Sequence, residues 1–231
     1  MPDDRVLLIT GASSGIGAAT ARLAAEAGWR VALAARSEQK LEELARELGE
    51  ERALAQPCDV TEFEQQERLV AATLERFGQI DAVFANAGFG ARRGFLEESP
   101  EFWREMVLTN VLGVAYTIRA TLAHLRERGS GHYVLTSSVA GRRALPGSLY
   151  SSTKWAVTGM AESLRQELRQ SEGEVRVTVV EPGMVDTAFF SKRPPDALAA
   201  DDVARIVMFV LEQPARVDLN EVLVRPTRQA S

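Results

Sequence analysis

The chain has 231 residues, a size that fits one α/β domain able to bury a full central sheet. Its 27 Lys and Arg are outnumbered by 32 Asp and Glu, and the net charge of -5 with a pI near 5.3 excludes a nucleic-acid surface of clustered, unopposed cations. Cys58 is the single cysteine, so no intramolecular disulfide can form, and two histidines offer no cluster of recognisable metal-ligand spacing. Short β-branched runs alternate with longer helical stretches, the pattern of repeated βαβ units and a mostly parallel sheet. A strand is predicted over 5–10, then a helix over 15–27, a strand over 30–35 and a helix over 38–48, where Leu41, Leu44, Ala45 and Leu48 recur at three and four spacing. A strand over 52–57 and a helix over 62–77 follow, then a strand over 80–86 and a long helical pattern over 100–128. A strand over 131–137, a helix over 150–170, a strand over 175–181, a helix over 201–212 and a strand over 221–224 complete the order. All seven strands read as buried on both faces. Residues 187–200 are irregular, with Pro194-Pro195 blocking regular structure, and form a candidate lid. No repeat or linker divides the chain, so 1–231 is read as a single domain. The start, Met1-Pro2-Asp3-Asp4, is acidic with no cleavable signal after it, and no apolar stretch is expected to reach the ~18 residues of a membrane span. A cytoplasmic protein without membrane or nucleic-acid partners is expected.

Three features carry chemistry. The first is the turn Thr10-Gly11-Ala12-Ser13-Ser14-Gly15-Ile16-Gly17, which follows Val6-Leu7-Leu8-Ile9 and opens an amphipathic helix. Glycines at 11, 15 and 17 suit a sharp strand-to-helix turn, close backbone approach to a pyrophosphate, and tight packing of helix on sheet. A purely structural turn is the alternative, which the strand before and the helix after disfavour. The second is Tyr150 with Lys154, which share one face of a helix, so that the ammonium lies beside the phenol and favours its ionised form. A free phenol titrates near pH ~10, and lowering it by roughly three units requires about 4 kcal/mol of differential stabilisation, within reach of a close cation in a partly desolvated cleft. The third is the end of the second strand, where dinucleotide folds place an acid to grip the ribose diol. Here Ala35 stands in that place, followed by Arg36 and Ser37 with Lys40 near, and a guanidinium suits a 2′-phosphate. NADP is predicted over NAD; the alternative is that Arg36 is a solvated residue at a helix start.

Taken in order, Thr10-Gly11 through Gly17, Asp59-Val60, Asn86-Ala87-Gly88, Asn110, Ser138, Tyr150 with Lys154, and Pro182-Gly183 through Thr187 resemble the short-chain dehydrogenase/reductase family, from Thr10 to the Pro226 region. The resemblance implies an α/β, doubly wound Rossmann-type domain with a seven-stranded, mostly parallel sheet and helices on both faces. It implies an NADP(H)-dependent oxidoreductase that interconverts a carbonyl and a secondary alcohol. Cofactor contacts are implied for Gly11, Ser13, Ser14, Gly15, Ile16, Gly17, Arg36 and Ser37. Asp59 would bond the adenine amino group and the Val60 backbone would touch the base, while Asp59 can also cap the helix after Thr61-Glu62. Asn86, Ala87 and Gly88 would close on the adenosine ribose, a plain strand-ending turn being the alternative. Asn110 either ties down helix backbone or holds a water that relays protons to Lys154, and the resemblance implies the relay. Tyr150 is the implied acid and base, and Lys154 also binds the nicotinamide ribose. Pro182, Gly183, Val185 and Thr187 would meet the nicotinamide carboxamide and the diphosphate.

Ser137 and Ser138 are adjacent and face opposite ways, so one alone meets substrate. The family's usual spacing to the tyrosine selects Ser137, whereas the context Ser138-Val139-Ala140-Gly141 selects Ser138. Ser138 is taken, with a one-residue deletion near Pro146-Gly147, as donor to the carbonyl oxygen. Phe89, Gly90, Val139, Leu145, Met184, Phe189 and Phe190 form a mainly apolar candidate pocket. Arg92, Arg93, Arg142 and Arg143 are candidates to grip a carboxylate or, alternatively, are solvated surface. The segment 220–227 is similar to the branch that acts on 3-hydroxy acids and serine. His124, His132 and Cys58 read as surface, strand-edge and buried packing respectively. A homodimer or homotetramer is implied, with Ala156, Gly159 and Ala161 permitting close contact between helices or serving the chain's own core. The alternatives are a non-catalytic NADP-binding regulator on the same fold and an NAD-preferring dehydrogenase.

Overall fold

In the computed structural model, residues 4–170, 173–187 and 195–229 are described. The elements run β1 (Val6–Thr10), α1 (Gly15–Glu26), β2 (Arg30–Ala35), α2 (Glu38–Leu48), β3 (Ala53–Pro57), α3 (Phe63–Phe77), β4 (Ala82–Ala85), α4 (Pro100–Val107) and α5 (Gly113–Arg128). They continue with β5 (Ser130–Thr136), α6 (Leu149–Leu168), β6 (Glu174–Pro182), β7 (Val185–Asp186), β8 (Leu198–Ala199), α7 (Ala200–Leu211) and β9 (Glu221–Val224). Seven strands form one sheet in the order β3-β2-β1-β4-β5-β6-β9, every pair parallel. Parallel strands need crossovers, and the helices that supply them cover both faces. Alternation along β1 divides the core: Leu7 and Ile9 pack with Ala18, Ala21, Trp29 and Val207 on one face. Leu8 packs with Leu69, Val83, Val114, Leu135 and Val157 on the other. The strand order reverses between β1 and β4, and there the carboxyl ends of the strands open a crevice.

Several local expectations are corrected. The two outer strands are not buried on both faces: β9 alternates exposed and half-buried, and β3 is mostly half-buried, because an edge strand has a neighbour on one side only. The helical pattern over 100–128 is continuous but carries a π-helical turn at Leu108–Leu112, centred on Asn110. Such a turn widens the ladder by one residue and is frequent at functional sites. This 29-residue run is long and apolar enough to cross a membrane by length and composition, contrary to expectation. Here its inner side, Val114, Thr117, Ile118, Thr121 and Leu125, is packed within the fold. Gln66 of α3 accepts from the Thr117 hydroxyl at 2.7 Å and donates to the Gly113 carbonyl at 3.0 Å. His132 is not at a strand edge: β5 lies between β4 and β6, and burial pushes its imidazole down to about 3. His124 is half-buried and accepts from the Ile80 N–H. Within the candidate lid, β8 pairs in parallel with β7 just before it, whereas Phe189, Phe190 and Pro194 lie outside the described residues.

Candidate active site

A cleft of about 1420 Å³ lies along the carboxyl ends of the strands, from β3 to β9. Gly11, Ser13, Ser14, Gly15 and Ile16 line it where β1 turns into α1. Gly11 takes a left-handed φ of 68°, and a Cβ there would stand 2.9 Å from Ala87 Cα. Gly17 stands behind the wall, where a Cβ would meet the Gly11 carbonyl oxygen at 2.3 Å. The turn is braced from β4: Asn86 Nδ2 donates to the Thr10 carbonyl at 3.2 Å, and the N–H groups of Asn86 and Ala87 donate to Thr10 Oγ1 at 3.1 and 3.2 Å. The Ser14 side chain makes no capping bond, so the first N–H groups of α1 face the cleft without an internal acceptor. This cradle, closed to a Cβ and lined by backbone donors, fits the pyrophosphate of a dinucleotide.

Arg36 and Ser37, at the end of β2, and Cys58, Asp59 and Val60, after β3, line one end of the cleft. Arg36 is exposed, and Ser37 begins α2 with no side-chain cap. Asp59 Oδ1 accepts from the Thr61 N–H at 3.0 Å and the Thr61 hydroxyl at 2.8 Å, bracing the turn before α3 rather than capping the helix, whose N-cap is Glu62. Burial pushes the Cys58 thiol up to about 11, which makes it packing.

Tyr150, in the first turn of α6, and Lys154, one turn on, line the middle of the cleft with Thr136, Ser138, Ala87 and Gly88. Ser138 hydrogen-bonds Tyr150, and its Oγ also donates to the Pro182 carbonyl at 3.3 Å and accepts from the Ala140 N–H at 3.1 Å. Ser137 points the other way, donating to the Lys154 carbonyl at 3.0 Å and meeting Thr158 Oγ1 at 2.9 Å. The Lys154 ammonium lies 5.6 Å from the centre of the Tyr150 ring and donates to the Thr136 carbonyl at 2.8 Å. The expected acidification of the phenol is not found. Burial pushes Tyr150 up to about 12 against the opposing Ser138 hydrogen bond, and burial pushes Lys154 down to about 8. Burial holds both groups toward their neutral forms.

Asn110 differs most from expectation. Its Nδ2 donates to the Phe89 carbonyl at 2.8 Å and to Thr153 Oγ1 at 3.2 Å, and its Oδ1 accepts from the Phe89 N–H at 3.0 Å. Both N–H donors of the amide are therefore used, and the side chain braces the loop after β4 rather than its own helix. Pro182, Gly183, Met184, Val185 and Thr187 close the far wall with Phe89, Val139 and Leu145.

Contacts between distant segments escaped the sequence reading. Arg142 is not a free cation: its Nε donates to both oxygens of the buried Glu181, at 2.7 and 2.9 Å, and it pairs with Glu221 on β9. Gln229 Oε1 accepts from the Met184 N–H at 2.9 Å, drawing the segment after β9 into the wall. No periodicity or spacing signals such pairs.

Fold and site together define an α/β oxidoreductase of the dinucleotide-binding class. A family model described as short chain dehydrogenase matches residues 5–198. An uncharacterized oxidoreductase of Listeria monocytogenes is 37% identical over 244 residues, covering 98% of each chain. An alcohol dehydrogenase from Thermococcus sibiricus complexed with 5-hydroxy-NADP superimposes with a TM-score of 0.90 at 36% identity, covering 98% of both chains. Serine dehydrogenase from Escherichia coli does so with a TM-score of 0.88 at 31% identity, over 98% of this chain and 100% of that one. The chain belongs to the short-chain dehydrogenase/reductase family.

Proposed function

We propose that the protein is an NADP(H)-dependent oxidoreductase interconverting a carbonyl and a secondary alcohol. The observation that carries this reading is the meeting of Tyr150, Ser138 and Lys154 in the wall of a cleft that also holds the glycine cradle. The dinucleotide, when bound, supplies the hydride for reduction or takes it up in oxidation. Tyr150 gives a proton to the substrate oxygen in one direction and takes it in the other. Ser138 donates to that same oxygen and stabilises its negative charge. Lys154, anchored on the Thr136 carbonyl, brings its ammonium to the Tyr150 ring and would bind the nicotinamide ribose of the dinucleotide. Asn110 holds Phe89, and with it the end of β4, in place. Ser138→Ala should lose about 10²-fold or more in kcat, as expected for removal of one oxyanion donor. Ser137→Ala should keep most of its turnover, and the opposite ranking would exchange the two roles.

Preference for NADP rests on Arg36. It lies in the cleft wall at the end of β2, with no ion pair among the described residues, in the place where an acid would hold a ribose diol. Arg36→Asp should weaken NADPH binding by about 10- to 100-fold, the value of a charge-assisted bond, and leave NADH binding equal or tighter. Equal NADH and NADPH affinities in the parent chain would defeat the preference. A cytoplasmic setting fits a lone buried thiol held well above its ordinary range. Self-association along α6 is supported by exposed Gly159, whose missing Cβ faces open space, and by half-exposed Trp155. Ala161 belongs instead to the chain's own core.

A further inference from the structure

We propose that the substrate carries an anionic group, carboxylate or phosphate, bound at the mouth of the catalytic end by arginines of three loops. This rests on the carbonyl-reducing reading of the site and narrows it. Some arginines in this acidic chain are neutralised by carboxylates on the same surface. Arg22 pairs with Glu47, Arg30 with Asp4, Arg126 with Glu167, Arg128 with Asp81 and Arg205 with Asp202. Two arginine doublets each hold one member in an ion pair and present the other to the cleft. In Arg92-Arg93, Arg92 is held by Glu98 at 3.1 Å, while Arg93 is exposed in the cleft wall. In Arg142-Arg143, Arg142 is held by Glu181 at 2.7 Å and by Glu221, while Arg143 is exposed in that wall. Arg225 and Arg228, after β9, are also exposed there. None of these four wall arginines has an ion pair among the described residues.

The three loops are tied to one another around the catalytic residues. The Gly94 N–H donates to the Gly147 carbonyl at 2.7 Å, joining the loop of Arg93 to the one that carries Arg143 and leads into Tyr150. The Met184 N–H bond to Gln229 seats the segment of Arg225 and Arg228 on the turn after β6. Arg36 is excluded from this group, since β2 and β9 stand at opposite sides of the sheet. Two carboxylates line the cleft among the described residues, Asp59 at the end near Arg36 and Asp196. Glu181 and Glu221, which would otherwise quench the patch, are spent on Arg142. A cleft lined by one sign of charge focuses its field outward, raises the local concentration of an oppositely charged substrate, and does so less at high salt. A guanidinium also offers two parallel N–H groups to a carboxylate or phosphate.

The test compares 4-oxopentanoate, pyruvate and 3-hydroxy-2-oxopropyl phosphate with the methyl esters of the two keto acids, with 1,3-dihydroxypropan-2-one and with 2-hexanone, each reduced with NADPH at low and at about 0.5 M salt. At least one anion should exceed its neutral counterpart by about 10-fold or more in kcat/KM, the value of a charge-assisted hydrogen bond, and salt should shrink the ratio. Arg143→Ala and Arg228→Ala, singly and together, should narrow that ratio mainly through KM, with Arg143→Lys recovering part of it. Which anion leads separates carboxylate from phosphate. Neutral ketones reduced as well as every anion, with a ratio indifferent to salt and to both substitutions, would overturn the inference while leaving carbonyl reduction standing. No NADPH oxidation with any compound would count against both.

Discussion

Tyr150→Phe is expected to lower turnover by about 10²- to 10⁴-fold, the range for removal of a positioned acid or base, with NADPH affinity within about threefold of the parent. The phenyl ring fills the same space beside the Lys154 ammonium, so the substitution removes a proton donor and little else. The hydroxyl of Ser138 keeps its bonds to the Pro182 carbonyl and the Ala140 N–H, so the wall around it should hold its shape. The pH dependence has a direction. Oxidation of an alcohol needs the phenolate as base, and with the phenol pushed up to about 12 its rate should climb steadily from pH 7 toward 10. Reduction uses the phenol, which stays protonated over that range, and should fall as pH rises through about 8, where Lys154 loses its charge. Steady-state rates in both directions, with NADPH binding followed by fluorescence, check this. Retained turnover in the variant, or oxidation that falls with rising pH, would remove Tyr150 from its role.

Gly17→Ala is expected to cut NADPH affinity by about 10-fold or more and to destabilise the protein by about 1–3 kcal/mol, as overpacking of a filled site does. The added Cβ would sit 2.3 Å from the Gly11 carbonyl oxygen and 2.9 Å from Asn86 Nδ2. The first of these is backbone, so relief requires α1 to move away from the turn, which takes its N–H groups out of the cradle. Asn86 is also the brace between β1 and β4, so the disturbance reaches the strand ends on both sides of the crevice. Gly159→Ala, measured at protein concentrations where the chain is monomeric, is the control: nothing in the chain stands within 4 Å of its missing Cβ, and an alanine in a helix should stabilise by about 0.5–1 kcal/mol. Thermal unfolding and NADPH titration of the two variants separate a crowded turn from a general intolerance of side chains at glycine. Wild-type affinity in Gly17→Ala would mean that the cradle does not hold the cofactor.

The alternation of apolar runs and helical periodicity made the βαβ order readable, because each strand is a short run and each crossover helix repeats at its own period. Ends were less readable. The predicted strand over 80–86 is paired only at Ala82–Ala85, since the Ile80 N–H turns to His124 and the Asn86 N–H turns to Thr10 Oγ1. Strand order is a property of the folded sheet, which is why His132 could be assigned to a strand but misplaced at its edge. At the site, the Gly11–Gly17 turn and the Tyr150–Lys154 pair are local patterns, and the structure sets both in one cleft wall or directly behind it. The choice of Ser138 over Ser137 also agrees with where the two hydroxyls point. What one helix face could not convey was the surrounding burial, which leaves the phenol raised rather than lowered. The Arg142–Glu181–Glu221 cluster was equally hidden, because it joins three separate segments.

The most direct test of the central claim is transfer of label from NADPH deuterated at C4 of the nicotinamide, with product alcohols from a ketone and aldehyde panel read by mass spectrometry and NMR. The account predicts deuterium on the carbinol carbon, delivered by the parent chain and almost lost in Tyr150→Phe. Tight NADPH binding with no deuterium in any product, or equal transfer by the two proteins, would contradict it.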